Sequence, residues 1–298
     1  TRVLPGARTV CVLAMPYRDP TTEAFGIAAP DASRAEISSY ARGTDYHRVL
    51  EARLRAACEA LAREHPDERF RWYVDTGPLL EKAWAAAAGI GWIGKNTCSI
   101  HPRHGSFFFL AAIMTTLELE PDAPAVDHCG SCRLCLDACP TGALVEPYVL
   151  DARRCLSYTT IELRGEVPPE IEAASGNIVF GCDICQEVCP WNRDPEGARS
   201  DPELAPREEN IFPLLEDLLA TAASSPEAFA ARFPKSAVRR PKARGFLRNV
   251  IIACGNSGRP ELRAALDELE RRDDLRTDPI IGPTLARALG RLRSEAGP

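Results

Sequence analysis

Residues Cys129–Leu144 read CGSCRLCLDACPTGAL, four cysteines in eleven residues with a proline after the fourth. A second run, Gly181–Asn192, reads GCDICQEVCPWN, and Cys155 stands between the two. The spacings are Cys129-x2-Cys132-x2-Cys135-x3-Cys139-Pro140 and Cys182-x2-Cys185-x3-Cys189-Pro190. Eight of the twelve cysteines therefore fall between Cys129 and Cys189. In a reducing compartment, thiols this dense mean metal rather than disulfides.

The first run has the spacing of two-cluster bacterial ferredoxins, in which three thiolates hold one [4Fe–4S] cube and the fourth reaches a second cube. A tight turn lets three sulfurs converge on three corners, and the proline redirects the chain. The second run is one cysteine short, and Cys155 supplies the missing ligand. Crossing then assigns Cys129, Cys132, Cys135 and Cys189 to one cluster, and Cys139, Cys155, Cys182 and Cys185 to the other. Two zinc sites of four thiolates each are the alternative, although zinc ribbons favour separated C-x2-C knuckles. Two adjacent clusters form a short wire, which predicts an electron acceptor elsewhere in the chain. The remaining four cysteines, Cys11, Cys58, Cys98 and Cys254, are expected to be buried small hydrophobes.

The chain has 298 residues, 45% hydrophobic and 26% charged, the mixture of a globular protein of one to three domains. No apolar run reaches the roughly 18 residues of a membrane helix, and no signal peptide is visible. The expected location is the cytoplasm, with no membrane contact, as a monomer. A net charge of −6 argues against indiscriminate nucleic-acid binding but leaves room for a local basic site.

Composition divides the chain into residues 1–125, 126–195 and 211–298, with a polar linker at 196–210. In the first part, Val10–Met15 is a continuous apolar run and predicts a buried strand. Asp45 caps a helical pattern with Val49, Leu50, Leu54, Ala57, Cys58 and Leu61 on one side. Phe70, Trp72 and Val74 alternate with charged or polar residues over Arg69–Asp75, a strand. Pro78 is expected to open a helix that runs through Ala88 and ends at Gly89. Phe107–Met114 is a further strand. The third part predicts helices at Leu214–Thr221, Pro226–Arg232, Gly245–Gly255, Glu261–Arg271 and Pro283–Arg293. The fold class is α+β.

Tyr73–Thr97 reads YVDTGPLLEKAWAAAAGIGWIGKNT. Its glycines match neither a P-loop nor a dinucleotide fingerprint. Together with ISSYARGTDYH (37–47), GSFFFLA (105–111), DARRCLSYTTIELRG (151–165), RNVIIACGNSG (248–258) and the two cysteine runs, it resembles the epoxyqueuosine reductase family over nearly the whole chain.

The resemblance implies a cobalamin-dependent enzyme that reduces epoxyqueuosine, at the wobble position of tRNA, to queuosine. It implies two [4Fe–4S] clusters fed by an external electron donor, and some fifty further residues ahead of Thr1. It implies a nitroreductase-like cobalamin-binding domain over 1–125, a ferredoxin-like domain over 126–195 and a helical, HEAT-like tRNA-binding domain over 211–298. The family's catalytic acid, in its V-D-[ST]-[AG]-P motif, falls on Asp75, and the stretch against the corrinoid includes Ser157. As a proton donor at neutral pH, Asp75 is expected to have a pKa raised by burial, with Trp72, Tyr73 and Trp92 as an apolar wall. His47 is expected to be structural rather than a cobalt ligand.

Arg232–Arg248 carries seven cations, at 232, 235, 239, 240, 242, 244 and 248, and no acid. Arg239, Arg240, Lys242 and Arg244 are the expected RNA-phosphate contacts. Two other readings compete: a corrinoid reductive dehalogenase, and an electron-transfer protein without catalysis.

Overall fold

The computed structural model describes residues 3–18, 31–193 and 201–294; the start of the expected linker, 196–200, lies outside them. The elements in chain order are β1 (Thr9–Pro16), β2 (Glu36–Ile37), α1 (Tyr46–Glu64), β3 (Phe70–Tyr73), α2 (Glu81–Ala87), β4 (Trp92–Ile93), β5 (Ser99–Ile100) and β6 (Phe108–Thr115). The cysteine zone adds α3 (Leu134–Asp137), β7 (Leu144–Glu146), β8 (Val149–Leu150), α4 (Leu156–Ile161), α5 (Pro169–Ala174), β9 (Ile178–Phe180) and α6 (Ile184–Glu187). Helices α7 (Leu215–Ser224), α8 (Pro226–Arg232), α9 (Lys242–Asn256), α10 (Pro260–Glu270), α11 (Asp273–Arg276) and α12 (Ile281–Ser294) follow.

β6 is the spine of an antiparallel sheet ordered β1-β6-β3. It pairs with β1 from Thr9↔Thr115 to Pro16↔Phe108, and with β3 from Phe70↔Thr115 to Tyr73↔Ala112. Helix α1 starts where expected, because the Asp45 carboxylate accepts the His47 N–H, and it buries Val49, Leu50 and Leu54. These pack with Val74, Phe109 and Ile113 into the core of the first part.

Helix α2 begins at Glu81, three residues later than Pro78 predicts. The reason is Gly77, whose backbone presses on the Tyr73 ring so closely that a Cβ there would lie 2.4 Å from the ring edge. Asp75 has a left-handed backbone, φ 52°, so Asp75–Leu80 is a turn that throws the carboxylate forward.

The larger core crosses all three parts. β2 pairs in parallel with β9, and Ile37, Val179 and Phe180 pack with Leu215, Leu218, Val250, Ile251 and Leu285. α9 is the central helix of this core. Its Arg248, 1% exposed, donates to the carbonyls of Thr159, Leu163 and Gly165, and its Asn249 amide donates to those of Thr160 and Val179. From the cysteine zone, fully buried Glu172 accepts from Arg287 at 2.8 Å and Arg291 at 3.1 Å, both on α12. Among the described residues no helix is long and apolar enough to cross a membrane.

Removing one member of a buried ion pair leaves the others uncompensated. Glu172→Gln is expected to cost about 3 kcal/mol, read as a lower urea midpoint with an unchanged slope.

Candidate active site and cluster cradles

Cys129, Cys132, Cys135 and Cys189 line one cavity of about 260 Å³, together with Lys95, His128 and Trp191. This is the first crossed set. Burial, and then the charges of Cys129, Cys135 and Cys132, push the Cys189 thiol up to about 11. The β4–β5 hairpin closes the cavity. Trp92 Nε1–H and the Lys95 amide both donate to Cys129 Sγ at 3.4 Å. Lys95 Nζ donates to the carbonyls of Gly130 at 2.6 Å and Cys132 at 2.9 Å.

The second set is likewise a group of electrostatic neighbours. Burial raises Cys155 and Cys182, and Cys139 acts on both; the Cys98 thiol, then burial, raises Cys185, on which Cys182 and Cys155 also act. Cys139 is the exception: against its burial, amides of Leu144 and Ala143 and the Thr141 hydroxyl lower it. Among the described residues no three Cys, His, Asp or Glu side chains are gathered for a single ion. In the first set the thiols surround a space instead, as the corners of a cube require. Four mutually repelling thiolates also need a cationic centre, so both donor sets fit iron–sulfur clusters.

A separate cavity, of about 360 Å³, adjoins the second set through Cys98, the neighbour of Cys185. Cys98, Gln186 and Asp75 form part of its wall, and Tyr40, Tyr46 and Phe109 supply aromatic surface. Tyr46 stacks on Phe109 with centroids 4.2 Å apart. Two buried acceptors in this cavity, Glu81 Oε1 and Ser99 Oγ, have no hydrogen-bond partner in the protein. Orphaned buried polar atoms beside an aromatic wall fit a bound group that carries both amides and an apolar ring.

Asp75 is held by three groups. Its Oδ2 accepts from the Tyr46 hydroxyl at 2.9 Å and faces His47 Nε2 at 3.6 Å and an Arg240 nitrogen at 3.5 Å. His47, Tyr46 and Arg240 outweigh its partial burial, and they hold its carboxyl down at about 2. The expectation of a raised pKa is thus corrected: two cations occupy the place assumed to be apolar. His47 is pushed up to about 9 by Asp45, whose Oδ1 lies 2.9 Å from Nδ1, and then by Asp75. The expected wall is corrected as well. Trp72 packs in the first core, Tyr73 lines a separate groove, and Trp92 belongs to the first cluster cavity.

The other expected residues are dispersed. Ser157 is half-buried on the first turn of α4 and gives its amide to Cys155, outside the lining of the Asp75 cavity. Arg240 is at the site itself, with its Nε 2.6 Å from Glu162. Arg244 pairs with Asp278 at 2.7 Å, and Arg248 is structural. Arg239 and Lys242, with Lys235 and Arg48, line a groove of about 500 Å³ beside Asp45. Lys235 and Lys242 both have left-handed backbone, φ 52° and 63°. Of the four scattered cysteines, Cys254 is fully buried and Cys11 and Cys58 pack on the first core. Cys98 departs from expectation, since it touches Cys185 and opens on the cavity.

Comparison with known proteins gives one answer. Residues 1–76 match the family model "Epoxyqueuosine reductase QueG, DUF1730", and residues 128–192 match "4Fe-4S double cluster binding domain". The epoxyqueuosine reductase of Gloeobacter violaceus is 46% identical over 262 residues, covering 86% of this chain and 79% of the relative. That of Escherichia coli is 39% identical over 270 residues, covering 91% and 69%. A crystal structure of epoxyqueuosine reductase with a tRNA-Tyr epoxyqueuosine-modified stem loop superposes with a TM-score of 0.86 at 36% identity, over 98% of this chain and 75% of that one. The Bacillus subtilis enzyme with its catalytic aspartate loop swung out of the active site gives 0.86 at 35%, with the same coverage. Sequence, fold and thiol arrangement agree that the chain belongs to the epoxyqueuosine reductase family.

Proposed function

We propose that the chain reduces the epoxide of epoxyqueuosine, at the wobble position of tRNA, to the alkene of queuosine, with Asp75 relaying the proton. One observation carries this reading: the cavity bearing Asp75 is walled by Cys98 and Gln186, which adjoin the second thiol set. A proton carrier and an electron source thus meet in one cavity. Removing the epoxide oxygen as water takes two electrons and two protons.

Cys129, Cys132, Cys135 and Cys189 would hold one [4Fe–4S] cluster, and Cys139, Cys155, Cys182 and Cys185 the other. The Asp75 cavity would hold cobalamin, whose chemistry is low-potential electron transfer to carbon, with Glu81 and Ser99 meeting its polar fringe. At neutral pH His47 is protonated and Asp75 ionised, the reverse of what donation from Asp75 requires. Covering the Asp75 side chain, 48% exposed here, strips water from the carboxylate and raises its pKa. The proton then moves from His47 Nε2 to Asp75 Oδ2 and on to the developing oxyanion. Solvent supplies the second proton along the same path.

Residues 1–125 would form a nitroreductase-like domain, 126–195 a ferredoxin-like domain and 211–298 a HEAT-like domain; the packing of α9 and α10 against α12 supports the last. The enzyme would act as a monomer in the cytoplasm and draw on an external electron donor. Arg239 and Lys242 would grip tRNA phosphates in the basic groove beside α1, while Arg240 sets the charge around Asp75.

Three outcomes test this. Anaerobic, reduced protein with cobalamin converts epoxyqueuosine-containing tRNA; Asp75→Asn keeps iron and cobalamin and loses at least roughly 100-fold in turnover. Retained turnover would reject Asp75. In a histidine NMR titration His47 titrates at about 9. In Asp75→Asn it moves down toward 6.5 without reaching it, because Asp45 remains. The sign follows: the raised pKa makes the His47 contribution complete below 6.5 and lost as pH rises through about 9. Arg239→Ala with Lys242→Ala weakens tRNA binding and reduces the salt slope by about two.

A further inference from the structure

The β4–β5 hairpin lies outside the cysteine runs, yet it supplies two hydrogen bonds to a single ligand sulfur. Trp92 is 3% exposed, and its indole is held on two sides: His128 at 5.0 Å and 77°, and Trp191 at 5.0 Å and 78°, both edge to face. These contacts fix the ring plane and aim Nε1–H at Cys129 Sγ. The glycines on either side allow the close approach. A Cβ on Gly91 would stand 2.2 Å from the Ile100 carbonyl oxygen, and one on Gly94 would stand 2.4 Å from the Ile100 side chain. Lys95 adds its backbone N–H to the same sulfur and anchors its ammonium on two carbonyls of the first cysteine turn.

We infer that Trp92 is a positioning residue that sets the reduction potential of the cluster held by Cys129, Cys132, Cys135 and Cys189. The inference rests on the two-cluster reading above. Its physical basis is the charge change on reduction. The added electron spreads onto the ligand sulfurs, and an N–H donor stabilises the more negative state, so the potential rises. The nearby Lys95 ammonium acts in the same direction. A buried side chain whose only polar atom meets a ligand sulfur is the outer-shell arrangement that tunes a metal site. The second set has no indole: Cys139 accepts from the Ala143 amide at 3.2 Å and lies 3.7 Å from the Thr141 hydroxyl. Trp92 thus sets the surroundings of the first set apart from those of the second, where Cys139 and Cys155 take their donors from backbone amides and the Thr141 hydroxyl.

Trp92→Phe keeps the ring packing and deletes the N–H. Purified anaerobically with its iron complete, it is titrated potentiometrically and followed by low-temperature EPR, without tRNA or cobalamin. The expected result is that one midpoint moves negative by about 59 mV, a tenfold change in the one-electron reduction equilibrium, while the other midpoint stays. Two unmoved midpoints, or two that shift together, overturn the inference. If the Phe variant loses the cluster, 3-benzothienylalanine in place of Trp92 keeps the ring shape without the N–H. Native midpoints in that protein overturn the inference equally. Wild-type protein that carries no iron would sink the cluster reading itself, an outcome distinct from a cluster whose potential ignores Trp92.

Discussion

A thiolate far down the chain must return to three thiolates near its middle. Cys189 closes the cavity that Cys129, Cys132 and Cys135 begin, and that single convergence organises the molecule. To bring Cys189 back, the chain runs through α4, α5, β9 and α6, and each of these needs an anchor. β9 finds one in β2, and α4 finds one in Arg248 and Asn249 of the buried α9. The helical part is therefore a clamp on the cysteine zone. The hairpin that carries Trp92 is pressed into the same convergence from the other side.

Charge placement decides what the neighbouring cavity can do. A carboxylate ringed by a protonated histidine, an arginine and a tyrosine is a poor acid while water reaches it. On the proposed mechanism the same ring would let it relay a proton once water is excluded, because His47 Nε2 lies 3.6 Å away. In the proposed relay this group of side chains would hold a proton on His47 until something covers the carboxylate. Burial of Tyr46, followed by the charge of Asp75, keeps the phenol protonated throughout.

Local signals were legible where neighbours in sequence are neighbours in space. The Asp45 cap, the period-2 pattern over Phe70–Val74 and the cysteine spacings all belong to this class. What stayed hidden depends on long-range contact. Arg240 reads as one cation among seven, and only the fold carries it to Asp75 while Arg248 goes to the core. Pro78 suits the first turn of a helix, but Gly77, wedged under Tyr73, keeps the chain in a turn until Glu81. Cys98 resembles any small apolar residue in its segment; nothing local tells that Cys185 is its neighbour.

The parallel pairing of β2 with β9 has a consequence for how the protein is made. The β1-β6-β3 sheet has all its strands by Thr115, but Glu36 and Ile37 leave the ribosome long before Ile178 and Phe180 exist, so the β2–β9 pair stays open while most of the cysteine zone is made. Only Cys129, Cys132, Cys135, Cys139 and Cys155 precede β9, and the three ligands of the second run are translated after it. Neither crossed set is complete before that strand is made, since the first awaits Cys189 and the second awaits Cys182 and Cys185.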